Sequence, residues 1–575
     1  MKISRVIIRN WRSVKDADFE PADMTVLVGA NNAGKTNILS AINFLMGDRW
    51  PQPANLLDSD YYLSDRRREI FIQLDLDDAP YSRLDFDTSR DRYVFQAYDR
   101  RGQAVRSGFD NEERGRLAFA YVDAGRNFDR QFGVSRWTLL GQAVRILHND
   151  LLQSGNDRLP QLRELLDQAH GLLKTDLYAA FESAMRDAFA EQLRTSRYDV
   201  QFQFRTVDET NLYRSLYPTL IERGVAKSPG EAGSGVRNLL VLALFHAFAH
   251  TFKGGAIVGI EEPELFLHPH AQRSLMGQFE SLVAEGNQLF ISTHSATFLD
   301  ITRPERIVVV ECCEDDEDEV CTQVRTTTAA ALLAERQRLH PSKTITETSM
   351  RAFLRNVRTA EMAEPYFARL VIVAEGPSER EALPLLCAHL GLKFDDEGIS
   401  IVAAGGKTVI DTLVQVYRAH EIPTYVIFDN DAARPQDRDA NRVMCRLLGI
   451  PETDAPAPQI AAAHAVLSGD WETQMKADLE TEEAGLYDRL VSAARQELGI
   501  QTGKNKPLIA RYVTEQLVAR GIVPNFAAAI AHHIKQRLGL APPPPPPDGL
   551  AELDETMPWI GDSPASASLD DEIPF

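Results

Sequence analysis

Short apolar runs alternate with helical patterns through most of this 575-residue chain. In the first half, near-continuous apolar runs predict strands covered on both faces, at 25–28, 256–260, 288–292 and 306–311. A helical pattern near 270–285 separates two of these runs, which is the strand–helix order of an α/β fold. The opening run at 2–8 and the alternating segments at 69–76 and 92–98 predict further strands of a mixed sheet.

The segment 137–195 has a different pattern, because its apolar residues recur at helical spacing. Leu162, Leu165, Ala169 and Leu173 lie three or four positions apart, and the pattern continues beyond them. This spacing predicts a helical insertion that serves as a packing arm or a dimer surface. A plain pair of core helices explains the same pattern equally well.

A second α/β unit follows a helical linker at about 349–363. Its strand-like apolar runs lie at 370–374, 400–403 and 425–428. Six consecutive prolines at 542–547 then end regular structure, and the acidic Ser/Ala/Pro segment after them is predicted to be disordered. The predicted organisation is a first domain at 1–350, a linker helix at 351–365, a second domain at 366–540 and a tail at 541–575.

The net charge of −21 is unusual for a protein that binds nucleic acid. Two segments carry most of it. Residues 314–319 contribute six acids, predicted to form a solvated loop, and the chain from residue 548 onward contributes eight acids and no base. The folded remainder is therefore only mildly acidic, so the net charge does not exclude DNA as a partner.

The five cysteines show no C-x-x-C spacing, which fits reduced thiols better than a disulfide or zinc framework. No N-terminal stretch resembles a signal peptide, and no apolar run approaches the length that spans a bilayer. These features predict a cytoplasmic protein without a membrane partner.

A phosphate-binding loop follows the apolar run at 25–28. The segment from Gly29 through Asn32 and Gly34 to Lys35 and Thr36 matches G-x-x-x-x-G-K-[ST], and a predicted helix follows it. Backbone N–H groups of such a loop bind phosphates, the lysine reaches the terminal phosphate oxygens, and the threonine holds Mg²⁺. We therefore predict that this loop binds ATP.

Two adjacent carboxylates, Glu261 and Glu262, end the apolar run at 256–260. At this position one carboxylate holds Mg²⁺ and the next polarises the attacking water. Two further segments fit an ATPase: Gly-Ser-Gly around Ser234, which precedes a long apolar helix, and His294, which follows the run at 288–292.

These four motifs together resemble the ABC-type ATPase heads of the SMC and RecF group. The resemblance implies that Ser234 completes the γ-phosphate site of a second subunit, that Glu262 is the catalytic base and that His294 senses the γ-phosphate. Arg12 resembles the group's N-terminal nucleotide-contacting arginine. One departure is clear, because Glu261 stands where the group usually has Asp.

Carboxylates also end the strand-like runs of the second unit. Glu375 and Glu379 follow the first run, and Asp429 and Asp431 follow the last. Asp429 and Asp431 face the same side of an extended segment, and oxygen-only ligands favour Mg²⁺ or Mn²⁺ over zinc. The order and spacing resemble a Toprim domain, in which two such ions catalyse phosphodiester chemistry. The alternative is a set of unrelated surface acids at strand ends.

An ATPase head followed by a Toprim domain resembles the overcoming-lysogenization-defect (OLD) nuclease family, which includes the Gabija nuclease subunit. The implied fold is an ABC-type, SMC/RecF-like head with a helical insertion, then a Toprim α/β domain and a disordered acidic tail. By the same resemblance, Glu472 is a late metal ligand and Lys506 a late catalytic lysine; Lys504 is the alternative to Lys506.

The resemblance implies an ATP-regulated, metal-dependent DNA endonuclease that acts in phage defence or DNA repair. Its partners would be DNA, a second copy of the chain and a helicase subunit. Two alternatives stay open. One is a Toprim topoisomerase or primase, and the other is a nucleotide-gated, RecF-like clamp protein with an inactive metal site.

The last six residues, 570–575, read Asp-Asp-Glu-Ile-Pro-Phe. They resemble the C-terminal tip of the bacterial single-stranded-DNA-binding protein, in which an aromatic side chain and the terminal carboxylate dock into a pocket. The resemblance implies that the segment from Asp570 to Phe575 binds a protein that recognises this tip. A solubilising acidic tail is the alternative.

Overall fold

The computed structural model describes most of the chain. The described residues are 1–47, 49–106, 108–115, 117, 119–125, 132–133, 138–153, 158–193, 216, 218–251, 255–314, 319–357, 359–431, 434–500 and 505–540. Lys504 and the tail 541–575 lie outside them, as does the side chain of Ser234, so the predictions for these positions stay predictions.

Thirteen described strands form the N-terminal unit. They are β1 (Lys2–Trp11), β2 (Val14–Phe19), β3 (Met24–Val28), β4 (Phe71–Asp77), β5 (Tyr81–Asp87), β6 (Phe95–Asp99), β7 (Phe119–Val122), β8 (Leu220–Glu222), β9 (Val225–Lys227), β10 (Ile257–Glu261), β11 (Gln288–Ser292), β12 (Ile307–Glu314) and β13 (Val320–Arg325). The described helices of this unit are α1 (Lys35–Met46), α2 (Asn111–Gly115), α3 (Leu139–Gln153), α4 (Arg158–Leu173), α5 (Asp176–Leu193), α6 (Ser234–Thr251) and α7 (Pro269–Ala284).

The predicted mixed sheet is divided into two larger sheets, and β8 pairs only with β9. One is antiparallel, in the order β2-β1-β4-β5-β6, and the other has the order β13-β12-β3-β11-β10-β7 and is parallel except for β13. Burial explains the division. Every residue of β3, β10 and β11 is buried, whereas β1 also has exposed positions. Burial on both faces suits a central parallel sheet, and partly solvent-exposed strands suit an outer antiparallel sheet.

The predicted helical insertion corresponds to α3, α4 and α5, which differ in burial. Leu140 and Val144 of α3 lie in the buried core. By contrast, Leu172 of α4 and Leu177 of α5 are 84% and 81% exposed. The core-helix alternative therefore describes α3, and a dimer surface on α4 and α5 stays a prediction.

Two helices and a 3-10 segment connect the units, where the sequence predicted one linker helix. They are α8 (Ala329–Leu339), α9 (Glu347–Val357) and the 3-10 segment Ala360–Phe367. Pro341 explains the break after α8, because a residue that precedes proline disfavours the helical conformation. Met350, Leu354 and Tyr366 lie in one buried cluster with residues of both units.

The C-terminal unit is a five-stranded sheet covered by helices. Its strands are β14 (Leu370–Ala374), β15 (Ile399–Ala403), β16 (Thr424–Asp429), β17 (Gln459–Ile460) and β18 (His464–Leu467), in the order β15-β14-β16-β18-β17. All neighbours pair in parallel except β17 and β18. The helices are α10 (Pro377–His389), α11 (Phe394–Glu397), α12 (Lys407–Ala419), α13 (Arg438–Leu448), α14 (Trp471–Glu482), α15 (Leu486–Leu498), α16 (Lys506–Ala519) and α17 (Asn525–Arg537).

Because β14, β15, β16 and β18 are parallel, their carboxyl ends meet at one edge of the sheet. The acidic residues predicted to bind metal follow β14, β16 and β18 at that edge. Across the described residues, no helix is both long enough and apolar enough to cross a membrane.

Candidate active sites

The phosphate-binding loop lies between β3 and α1 and is closed by its own lysine. Lys35 Nζ donates to the carbonyl oxygens of Gly29 and Ala30 at 3.0 and 2.8 Å. Burial lowers the pKa of Lys35, although Glu262 and Glu264 act in the opposite direction. A Cβ at Gly34, where φ is +108°, would lie 2.1 Å from Oγ1 of Thr322, so only glycine fits there.

Glu261 and Glu262 occupy different environments at the end of β10. The Glu261 carboxylate is buried and accepts hydrogen bonds from Tyr121 Oη at 2.6 Å and from the Ala124 N–H at 3.0 Å. Glu262 has a φ of +43°, and its Oε1 lies 3.9 Å from His294 Nε2. The structure therefore brings Glu262 and His294 together, whereas Glu261 is bound by Tyr121 and Ala124; the catalytic roles of these residues stay predictions.

Glu264 is a further acid of this site. Its Oε1 accepts from the His294 N–H at 2.6 Å and its Oε2 from Thr293 Oγ1 at 2.9 Å, so it fixes the loop that carries His294. Burial and the nearby Lys35 lower the pKa of His294, which favours a neutral imidazole. The Glu-Glu-Pro-Glu sequence contained this residue, but only the fold shows its partners.

The other predicted nucleotide ligands lie in different parts of the N-terminal unit. Thr36 and Asn32 are exposed at the phosphate loop, and Asn32 has a φ of +61°. Arg12 lies over the Trp11 ring and donates from Nε to Asp60 Oδ1 at 3.1 Å. Ser234 is the first residue of α6. The nucleotide contacts of these four residues stay predictions.

A cleft of about 290 Å³ lies at the carboxyl edge of the C-terminal sheet, and it is lined by Glu375, Glu379, Asp429, Asp470, Glu472 and Lys506 among others. Burial raises the pKa of Glu379 to about 8 and that of Asp429 to about 9, and neighbouring carboxylates add to both shifts. The pKa of Glu375 is also raised by burial. Three crowded, poorly solvated acids favour a cation at this place.

Asp431 differs from these three acids because two cations of the chain already pair with it. Its Oδ2 lies 2.5 Å from Lys407 Nζ, and its Oδ1 lies 3.1 Å from Arg434 Nη1. The side chains of Lys407 and Asp431 are almost completely buried. The predicted ligand Asp431 is therefore held at the margin of the cluster by an internal ion pair.

Glu472 and Lys506 meet on the opposite side of the cleft. Lys506 Nζ lies 3.0 Å from Asp470 Oδ2 and 3.1 Å from Glu472 Oε2, and Ser378 Oγ donates to Glu472 Oε1 at 2.9 Å. Burial disfavours the charged form of Asp470, but hydrogen bonds from Thr473 and Lys506 lower its pKa to about 2. The predicted late glutamate and late lysine are thus joined through Asp470 and line the same cleft as Glu379 and Glu375.

The donor set fits a divalent cation. Within the described part of the chain, no three His, Cys, Asp or Glu side chains are already arranged as a metal site. Lysines pair with three of the acids, Asp431, Asp470 and Glu472. Among the described atoms, however, Oδ1 of Asp429 is buried and has no hydrogen-bond partner, and it lies among carboxylates with raised pKa values. An unpaired carboxylate oxygen in an all-oxygen site suits Mg²⁺ or Mn²⁺.

Two family models match the chain, one in each unit. Residues 24–300 match an AAA domain described as a putative AbiEii toxin of a type IV toxin–antitoxin system. Residues 366–431 match the Toprim domain of proteins similar to the overcoming lysogenization defect protein. The chain therefore contains an AAA-type ATPase domain followed by an OLD-like Toprim domain. The predicted fold class, an ATPase domain followed by a Toprim domain, is confirmed.

Three curated relatives match this chain over most of their own length. The OLD nuclease of Thermus scotoductus is 27% identical over 75% of this chain and 82% of its own length. The Old nuclease of Escherichia phage P2 is 22% identical over 75% of this chain and 77% of its own. Endonuclease GajA of Bacillus cereus is 22% identical over 78% of both chains.

Several residues of the OLD-type Toprim cleft were not assigned a role from the sequence. Asp470 lies two residues before Glu472 and caps α14 through Thr473, so the Gly-Asp-Trp-Glu segment contained a usable signal. Lys407 directly follows Gly405 and Gly406, but nothing in the sequence linked it to Asp431. Ser378 and Arg434 carried no distinguishing pattern, and only the fold brings them to the cleft.

Proposed function

We propose that this chain is an ATP-regulated, divalent-metal-dependent DNA endonuclease. The observation that carries the proposal is the convergence of Glu375, Glu379 and Asp429 at one sheet edge, with Lys506 across the same cleft. Three relatives named as nucleases, each matched over about three quarters of this chain, support it. The ATPase part is supported by the closed phosphate loop and by the pairing of Glu262 with His294.

The acids of the cleft would hold Mg²⁺ or Mn²⁺. When bound, one or two such ions stabilise the attacking and leaving oxygens of a phosphodiester displacement. Glu375, Glu379 and Asp429 supply the buried oxygen ligands, and Glu472 and Asp431 extend the set on either side. Burial raises the pKa values of these three buried carboxylates, and repulsion from neighbouring carboxylates adds to the shift; binding of a cation offsets both effects.

Lys506 would stabilise the charge that develops on the phosphoryl oxygens. Its ammonium group is fixed by Asp470 and Glu472, and these partners raise its pKa although burial opposes the shift. A positioned, fully charged donor is effective because it needs no reorganisation when the negative charge develops. Asp470 therefore acts as a positioning residue for Lys506.

The proposed regulation places ATP at the N-terminal unit, between two copies of the chain, with Ser234 of one copy facing the phosphates of the other. Glu262 polarises the attacking water, and His294 contacts the γ-phosphate. The wider role proposed here is cytoplasmic, in phage defence or DNA repair, with a helicase subunit and a tip-recognising protein as further partners.

Plasmid cleavage tests the proposal. Supercoiled plasmid is incubated with the purified full chain and Mn²⁺ or Mg²⁺, with and without ATP. We expect nicked and linear products from the wild type, losses of at least about a hundredfold from Glu375→Gln and Asp431→Asn, and unchanged ATP hydrolysis in both variants. Glu361→Gln is the matched control, because Glu361 is exposed and pairs only with Arg380 among the described contacts.

Each other outcome assigns a different function. Undiminished cleavage by both variants would contradict the assigned site. Relaxed closed circles would indicate a topoisomerase, and unchanged plasmid together with DNA binding would indicate a nucleotide-gated clamp. Primer synthesis on single-stranded template would indicate a primase.

A further inference from the structure

One helix, α12, connects the metal cleft with the N-terminal unit. Lys407 is its first residue and pairs with Asp431. Asp411, one turn later, is fully buried and lies 2.6 Å from Nε2 of His340, the residue that follows α8. Arg336 of α8 donates to Thr412 Oγ1 at 2.6 Å and lies 3.6 Å from Asp411 Oδ1. Side chains from outside the C-terminal unit therefore bind the middle of α12.

The other end of α12 is also attached to the N-terminal unit. His420, which directly follows the helix, is fully buried, and its Nε2 lies 3.1 Å from the carbonyl oxygen of Pro304. Arg325, the last residue of β13, donates to the Glu421 carbonyl oxygen at 3.1 Å. α12 is thus held at its middle and at its C-terminal end, and Lys407 lies at its N-terminal end.

Strand β13 leads from these contacts to the phosphate loop. Thr322 of β13 donates from Oγ1 to the Ala33 carbonyl oxygen at 2.9 Å, inside the loop. The same Oγ1 lies 2.7 Å from Oγ of Ser13, which accepts from Asn37 of α1. From Thr322 the chain runs through Arg325 directly into α8. The phosphate loop is therefore hydrogen-bonded to the strand that precedes Arg336 and His340 in the chain.

We propose that α12 transmits the nucleotide state of the ATPase unit to Asp431. In this arrangement His340, Arg336 and Asp411 are positioning residues that act through Lys407. The inference rests on the proposed function in so far as Asp431 belongs to the metal cleft. Displacement of α8 moves α12 along with it, and Lys407 then changes the place of the Asp431 carboxylate.

The buried charges around Asp411 explain why the contact between α8 and α12 is suited to transmit a displacement. Arg336 and Asp411 form a buried pair of opposite charge, and such a pair can fix the geometry of a contact even where it adds little stability. Asp411 has no access to water, and both His340 and Arg336 contact it from outside α12, so α12 cannot slide along α8 without losing these contacts. Energetic coupling between two sites is carried by rigid elements that have discrete arrangements, and α12 fits this description because its position is fixed by directed contacts.

Hydrogen–deuterium exchange of the full chain tests the transmission without any need for cleavage. Exchange is followed in peptides that cover 405–434, with and without a non-hydrolysable ATP analogue and Mg²⁺. In the wild type we expect the analogue to change exchange at 427–431 by about fivefold, within the usual range of coupling between sites. Lys35→Ala, which removes the phosphate contact, should show no response.

The variants separate transmission from mere packing. His340→Ala should lose the response at 427–431 and keep nucleotide binding, whereas His340→Gln, which restores a donor toward Asp411, should recover part of it. Thr412→Val gives a second way to weaken the contact if His340→Ala does not fold. Arg446→Ala is the matched control, because Arg446 binds the Leu339 carbonyl oxygen from α13 instead of α12 and should respond like the wild type.

Two results would overturn the inference: no response of 427–431 to the analogue in the wild type, or an undiminished response in both His340→Ala and Thr412→Val. Failure of the wild type to cut DNA would instead contradict the proposed function. The two ideas can therefore fail separately.

Discussion

Nζ of Lys407 lies 2.5 Å from Oδ2 of Asp431, and both side chains are almost completely buried. Removal of the lysine leaves a buried carboxylate with Arg434 as its remaining cation, and Arg434 is 58% exposed. We expect Lys407→Met to lower plasmid nicking by about a hundredfold, because an uncompensated buried charge moves or takes up a proton. The measurement is the initial nicking rate at saturating Mn²⁺.

Arg434→Met is the control for this experiment, since it removes the exposed partner of the same carboxylate. It should lower nicking by less than about tenfold, in keeping with the small energy of exposed ion pairs. Equal losses from the two variants would show that burial of Lys407 is not what matters.

Glu379 should destabilise the metal-free protein at alkaline pH. Burial raises its pKa to about 8, so the folded state retains a proton that the unfolded state has lost. Its contribution to the free energy of unfolding is complete at low pH and declines as pH rises from about 4.5 through about 8. Glu379→Gln removes this pH-dependent contribution to the free energy of unfolding. We therefore expect the variant to exceed the wild type in Tm by roughly 2–4 °C at pH 8.5, and by less at pH 6.

The measurement is thermal unfolding at both pH values, in EDTA and in Mn²⁺. Mn²⁺ should stabilise the wild type more at pH 8.5 than at pH 6, and should stabilise Glu379→Gln less than the wild type at both. Glu361→Gln controls for loss of an exposed charge. A variant less stable than the wild type in EDTA at pH 8.5 would contradict the buried-charge account.

Lys506 should matter for rate more than for DNA affinity. Its contacts with Asp470 and Glu472 fix the ammonium group at the cleft, so Lys506→Ala should lower the single-turnover nicking rate by about a hundredfold. Asp470→Asn, which loosens the lysine but leaves its charge, should lower that rate by roughly tenfold. Gel-shift titration should show DNA affinity within about threefold of the wild type. Lys504→Ala is the matched control and should behave as wild type. A larger loss of nicking rate in Lys504→Ala than in Lys506→Ala would assign the role to Lys504.

Much of the fold was predictable because its strands are buried on both faces and therefore appear as apolar runs. The strands Gln288–Ser292 and Leu370–Ala374 were predicted to the residue. The division of the N-terminal strands into two sheets was not predictable, because pairing between β1 and β4 joins residues about 70 positions apart. A local pattern indicates that a strand exists but carries no information about its partner.

The candidate sites show the same limit. Glu375 and Asp429 were found because each directly follows a recognisable strand and parallel strands end at a common edge. Tyr121, Lys407 and His340 were not assigned roles, since each acts through a partner that is distant in the sequence: Glu261, Asp431 and Asp411 respectively. Glu319 belongs to the run predicted as a solvated acidic loop, and its ion pairs with Lys15 and Arg68 could not be read from the sequence.

Glu261 and Glu262 are adjacent in sequence, but their substitution by Gln should have unequal effects on ATP hydrolysis. The Glu261 carboxylate is already bound by Tyr121 Oη and the Ala124 N–H, and burial together with Glu261 itself raises the pKa of Tyr121, so the phenol keeps its proton and donates. Glu262 faces His294 instead.

We expect Glu262→Gln to lower phosphate release by at least about a hundredfold while nucleotide binding is retained. Glu261→Gln and Tyr121→Phe should each lower it by roughly tenfold, because they disturb the position of the strand end and not the attacking water. Phosphate release and binding of a fluorescent nucleotide measure the two effects. Equal losses from both glutamine variants would place Glu261 in direct contact with the nucleotide or its metal ion.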